Sequence, residues 1–202
     1  QYFSQTRLLL ETLPFVLNEK CFALKGGTAI NLFIRDMPRV SVDIDLNYLP
    51  LEPREEALKN IEAALKRIAQ NLKDRLGVKV QEVSIRNPNM VSKLIVQNEM
   101  VQIKIEPNFV IRGTAFPCEE HILCPKAQEV FQLFVKARVV SLADTYGGKI
   151  CAALDRQHPR DLYDIKFLLD NEGLTEKIRK GFLVYLISHD RPMHESLNPI
   201  LK

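Results

Sequence analysis

Apolar residues recur at near-helical spacing over positions 4–19, where Leu9, Leu10, Leu13, Val16 and Leu17 share one side. This predicts an amphipathic helix with Pro14 as a kink or boundary. Residues 21–24 form a short apolar run that reads as a buried strand, broken by Gly26-Gly27, and helical character resumes over 28–33. From 40 to 49 the period changes to two. Val42, Ile44 and Leu46 alternate with Asp43, Asp45 and Asn47, so a strand here has one apolar face and one acidic face. The clearest helix is 51–76, with Leu58, Ile61, Leu65, Ile68, Leu72 and Leu76 in one stripe, Pro53 near its first turn and Gly77 as its stop. Three strand-like pieces follow at 79–86, 92–96 and 101–109, with Asn87-Pro88-Asn89 as a turn. Residues 111–128, holding Pro117 and Pro125, read as a linker, and 130–140 is a further apolar run. Three helices complete the pattern: 142–154 capped by Ser141, 160–170 ending near Asn171-Glu172-Gly173, and 175–188. The order predicts an α+β chain, with a mixed α/β domain over 1–125 and a helical domain over 126–202.

Composition adds little to this picture. The 202 residues are 46% hydrophobic and 26% charged, as in an ordinary globular protein. No apolar stretch approaches the ~18 residues needed to span a membrane. A net charge of +3 neither demands nor excludes a nucleic-acid partner. Cys21, Cys118, Cys124 and Cys151 form no C-x-x-C pair, which speaks against zinc. Without a secretion signal they read as buried thiols in a reducing cytoplasm.

The candidate chemistry lies in four places. Gly26-Gly27-Thr28 joins a strand to a helix; glycines let backbone N–H groups approach a polyphosphate, and Thr28 adds a hydroxyl. The same three residues also suit a plain tight turn. Asp43 and Asp45 sit at i and i+2, so on a strand their carboxylates converge. Two such anions repel unless a divalent metal such as Mg²⁺ lies between them, or unless they are simply the wet face of an edge strand. Glu106 shares a face with Lys104 on a later strand. It is a candidate third carboxylate for a two-metal site, or one half of a solvated Lys/Glu alternation. The fourth place is helical. Lys149 follows Tyr146-Gly147-Gly148, and Arg160, Asp161 and Asp164 stand at i, i+1 and i+4. Lys149 could bind phosphate or a catalytic carboxylate; Arg160 and Asp164 could pair as a salt-bridged helix start. His158 is a loop histidine that reads as a general base or as incidental.

Taken in order, Leu24-Lys25-Gly26-Gly27-Thr28-Ala29, then Arg39 through Leu46, the helix around Lys149, and Arg156 through Asp164 resemble the AbiEii/AbiGii-type, or MenT-like, nucleotidyltransferase toxins of bacterial and archaeal toxin–antitoxin systems. The resemblance spans roughly residues 20–170. It implies a polymerase-β-like nucleotidyltransferase core with a small mixed sheet, followed by a helical C-terminal domain. It also implies transfer of a nucleoside monophosphate from an NTP to an acceptor hydroxyl, in relatives the 3′ end of tRNA, with an antitoxin as protein partner. By position, Lys25, Gly26, Gly27, Thr28, Arg39 and Ser41 would bind nucleotide, and Arg39 and Ser41 would also brace the metal strand. Asp43, Asp45 and Glu106 would hold Mg²⁺, and Asp43, Asp45, Lys149 and Asp161 would carry catalysis. The residues themselves leave two other readings open: a member of the fold that binds a nucleotide or partner without transfer, and an enzyme whose acceptor is a protein hydroxyl.

Overall fold

A computed structural model describes residues 1–84, 90–189 and 191–198, in two compact units. One unit comprises residues 1–113 and 120–139, the other residues 114–119 and 140–202. In chain order the first elements are α1 (Tyr2–Leu17), β1 (Phe22–Lys25), α2 (Gly26–Ala29) with a π-helical turn Ile30–Ile34, β2 (Asp43–Tyr48) and α3 (Arg54–Leu76). Next come β3 (Lys79–Ser84), β4 (Val91–Gln97), β5 (Gln102–Arg112), β6 (Glu119–Ile122), α4 (Pro125–Phe131) and β7 (Lys136–Val139). The remainder is α5 (Leu142–Arg156), α6 (Pro159–Asn171), α7 (Glu176–Ile187) and α8 (Met193–Leu197). The turn expected at 87–89 and the end of the strand expected at 79–86 lie outside the described residues.

Among the described residues seven strands form one mixed sheet in the order β3-β4-β5-β2-β1-β7-β6. The pairs β1/β2, β3/β4 and β4/β5 run antiparallel, while β2/β5 and β1/β7 run parallel. One face is the core. Ile44, Leu46, Leu94, Val96, Ile103 and Ile105 from the strands are buried with Leu9, Leu13 and Val16 of α1 and Ile61, Leu65, Ile68 and Leu72 of α3. Each such side chain contributes about 1.5–3 kcal/mol by leaving water, which is why the period-two and period-3.6 patterns were so legible. Pro14 stays inside α1, and Gly77 ends α3 in the left-handed conformation.

The division of the chain differs from the expected boundary at 125/126. α4 and β7 belong with the sheet, because β7 pairs with β1 in parallel, Leu24 opposite Val139. The expected linker at 111–128 also contains β6, whose Glu-Glu-His-Ile sequence has no apolar alternation because the strand lies at the sheet edge.

In the helical unit, α5 and α7 cross at glycines. A Cβ on Gly147 would sit 2.7 Å from the Gly181 carbonyl carbon, and one on Gly181 would overlap the Ala143 carbonyl oxygen. A Cβ on Gly148 would lie 3.1 Å from the Tyr185 ring. The two helices therefore pack nearly backbone to backbone. Asp144, buried near the start of α5, ties residues 114–119 to the unit. Its carboxylate accepts from the Ala115 and Phe116 amides at 2.7 and 3.0 Å and from Ser141 Oγ at 2.6 Å. Gly181→Val should lower the stability of this unit by about 1–3 kcal/mol through overpacking, read as a drop in the urea midpoint. Lys180→Ala, on the exposed side of the same helix, should change it by less than about 0.5 kcal/mol.

Candidate active site

The sheet face opposite the core carries the acids. Asp43 and Asp45 alternate with buried Ile44 and Leu46 on β2. In register with Asp45 stand Lys25 on β1 and Glu106 on β5. Glu106 Oε1 accepts from Lys93 Nζ of β4 at 3.3 Å. One row across four strands therefore reads Lys25, Asp45, Glu106, Lys93. In the next row Asp43 is in register with Lys104. Each of the three carboxylates thus has a lysine as a lateral neighbour, which offsets the repulsion between adjacent anions.

The expected group of three carboxylates around one metal is not assembled. Among the described residues no three His, Cys, Asp or Glu side chains are grouped so that they could hold a metal ion. The register sets Glu106 beside Asp45, but its carboxylate is engaged by Lys93. That ion pair is partly exposed, 21% for Lys93 and 38% for Glu106. Pairs of this kind are worth about 0–1 kcal/mol, so releasing Glu106 by a rotamer change costs little. The remaining donor set fits a divalent cation: two carboxylates on one strand face, with Asp45 Oδ2 against the turn at Gly26.

The turn is built around two glycines. Gly26 has φ +72°, and a Cβ there would overlap Asp45 Oδ2. A Cβ on Gly27 would lie 2.9 Å from Ser41 Oγ and 3.1 Å from Arg39 Nη2. The half-buried Arg39 guanidinium therefore lies over Gly27, a cation at the place where backbone N–H groups begin a helix. Thr28 differs from its expected role as a phosphate donor. It is fully buried; its hydroxyl donates to the Asp43 carbonyl at 2.6 Å and stands 3.1 Å from Ser41 Oγ. Its proton is spent on fixing the start of β2. Asn31 was missed by the sequence reading. Buried one turn beyond the glycines, it donates from Nδ2 to the Gly27 carbonyl at 2.8 Å. The available signal was a lone amide in the otherwise apolar stretch from Ala29 to Phe33.

The model of the family described as nucleotidyl transferase AbiEii toxin of type IV toxin–antitoxin systems matches residues 7–202. The chain belongs to the AbiEii nucleotidyltransferase toxin family. It is thus a nucleotidyltransferase of a type IV toxin–antitoxin system, with a nucleotide as substrate and an antitoxin as partner. MenT4, a nucleotidyltransferase toxin from Mycobacterium tuberculosis H37Rv, is similar in structure with a TM-score of 0.70 at 16% identity. The match covers 100% of this chain and 73% of MenT4, and places the AbiEii chain in the same α+β fold. No curated protein matches it.

The helical unit of this AbiEii member holds a second cluster. Lys149, only 7% exposed, reaches Asp161 Oδ1 at 2.9 Å and Asp164 Oδ2 at 3.1 Å. Arg156 forks onto Asp161, Nε to Oδ2 at 2.6 Å and Nη2 to Oδ1 at 3.0 Å. Two cations and two buried anions balance. Arg160 is exposed, and Asp164 turns inward to Lys149 rather than forming the i, i+4 pair considered from the sequence. His158 caps α6, its Nδ1 accepting from the Arg160 amide at 3.1 Å.

Burial pushes the Asp161 carboxyl up, but the hydrogen bonds and charges of Arg156 and Lys149 outweigh it and hold the group below the ordinary carboxylate range. A depressed carboxylate contributes stability above its unfolded pKa, about 3.9, and loses it as pH falls through the folded value. Asp161→Asn should destabilise the helical unit by about 3–5 kcal/mol near neutral pH, since it strands a buried ammonium beside one acid. Its loss of stability below about pH 4 should be shallower than that of the wild type, as measured by urea unfolding across pH.

Proposed function

We propose that this AbiEii chain transfers a nucleoside monophosphate from an NTP to an acceptor hydroxyl in a Mg²⁺-dependent reaction, and that the acceptor is RNA such as the 3′ end of tRNA. The observation that carries the reading is the Asp45–Glu106 register beside the Gly26-Gly27 turn. In this reading the turn's N–H groups and the Arg39 guanidinium bind the triphosphate, with Lys25 as a further cation. Ser41 and Thr28 act as positioning residues that hold the first residue of β2. Asp43 and Asp45 would hold the metal, with Glu106 joining them once freed from Lys93. A bound divalent ion would neutralise charge on the attacking and leaving oxygens. Lys149 and Asp161 are assigned catalytic roles, with Asp161 and Asp164 fixing the direction of the Lys149 ammonium. The reaction is placed in the cytoplasm, where NTP and tRNA occur together.

Incubation with radiolabelled NTPs, Mg²⁺ and total tRNA tests the proposal. Asp43→Asn should reduce labelling at least ~100-fold, a loss of the size expected when metal-borne charge stabilisation is removed. Equal labelling by wild type and variant, or NTP binding without any transfer, contradicts it. Lys149→Met, checked by circular dichroism for retained helix, should also abolish transfer. Full activity in a folded Lys149→Met protein would leave that lysine a purely structural role.

A further inference from the structure

Gln157 and His158 alone join α5 to α6. Gln157 is left-handed, φ +50°, and ends α5; His158 caps α6 and Pro159 begins it. Lys149 and Arg156 stand seven residues apart on α5 and so share one face, while Asp161 and Asp164 share one face of α6. The tight connection folds these two faces together, but the two cations use the acids differently. Lys149 divides itself, one contact to Asp161 Oδ1 at 2.9 Å and one to Asp164 Oδ2 at 3.1 Å. Arg156 takes both oxygens of Asp161, Oδ2 at 2.6 Å and Oδ1 at 3.0 Å. An ammonium carries three N–H donors. Among the described residues, one donor of Lys149 therefore has no protein partner.

We propose that Arg156 is a positioning residue for the transfer reaction: by occupying both oxygens of Asp161 it stops that carboxylate from closing on Lys149, and so leaves the third N–H of Lys149 for a phosphate oxygen. The inference rests on the nucleotidyl-transfer reading above, in which Lys149 is catalytic. An aspartate carboxylate turns readily about its last torsion, which has broad minima. With a lone ammonium beside it, it can rotate to offer both oxygens to the same nitrogen. The guanidinium fork is planar and matches a carboxylate edge, so it fixes the plane of Asp161. Lys149 then has only a lateral place at Oδ1, and Asp164 draws it from the other side. The ammonium stays suspended between two acids instead of collapsing onto one. Arg156 is 62% exposed against 2% for Asp161, so the arginine reaches in from the surface and keeps most of its own hydration. What it supplies inward is direction.

Transfer is measured with labelled NTP, Mg²⁺ and total tRNA, and kcat and the NTP KM are read separately. Arg156→Ala should lower kcat roughly 10- to 100-fold, the loss that follows a misplaced catalytic group, and leave the NTP KM within about twofold. Arg156→Lys keeps the charge but cannot fork, so it should retain most of the defect. Guanidinium at low, non-denaturing concentration should restore part of kcat to Arg156→Ala, and ammonium at the same ionic strength should not. Arg160→Ala removes a neighbouring exposed cation and should leave both constants unchanged. A merely structural Arg156 would lower the urea midpoint without this split or this rescue. A crystal structure of Arg156→Ala gives a readout that needs no activity: Lys149 Nζ should lie within hydrogen-bond distance of both Asp161 oxygens. Lys149 still divided between Asp161 and Asp164 overturns the assignment, as does full kcat in Arg156→Ala or Arg156→Lys. Absence of transfer by the wild type sinks the transfer reading, and the position of Lys149 in the variant then decides the assignment alone. An inactive Lys149→Met beside a fully active Arg156→Ala does the reverse, upholding the transfer reading and removing the role of Arg156.

Discussion

The sheet unit depends on holding like charges side by side. The parallel β2/β5 register sets Asp45 next to Glu106, with strands about 4.8 Å apart. At an effective dielectric near 20, two carboxylates about 5 Å apart repel by about 3 kcal/mol. Burial of Ile44, Leu46, Ile103 and Ile105 on the reverse of the same two strands outweighs that cost and fixes the register. Lys25 and Lys93 flank the acids and remove much of the repulsion. Glu106 is only loosely committed to Lys93, since a partly exposed ion pair of this kind is weak.

The helical unit solves a similar problem by burial. Lys149, Asp161 and Asp164 are nearly inaccessible, and Arg156 completes the balance from the surface. Such a quartet is costly to break and adds little net stability over an apolar packing of the same volume. Its presence therefore fits a demand for a directed charge better than a demand for a stronger core. Close glycine packing of α5 against α7 keeps the first turns of α5 rigid, and the Asp144 carboxylate secures the segment before it.

Most elements were legible because apolar burial is periodic: α1, α3, α5 and the alternation of β2 all show it. The family was legible from Gly26-Gly27-Thr28, Asp43-Ile44-Asp45 and the Arg156–Asp164 block. What the pattern could not carry was pairing. Nothing local in Val130–Val140 says that β7 will lie beside β1, so the division between units was drawn too early. Thr28 looks like a phosphate donor in sequence, but only the packing of β2 against α2 shows its hydroxyl turned to the Asp43 carbonyl. Glu106 was located by its face, whereas its present partner, Lys93, depended on the β4/β5 register.

Metal binding at the acidic face can be measured directly. Titration of Mn²⁺ into the full chain with a non-hydrolysable NTP analogue, followed by electron paramagnetic resonance, counts bound ions directly. Bound Mn²⁺ should appear with the wild type, fall strongly in Asp45→Asn, and strengthen in Lys93→Met, where Glu106 is released. Equal Mn²⁺ binding in the wild type and Asp45→Asn would contradict the assignment.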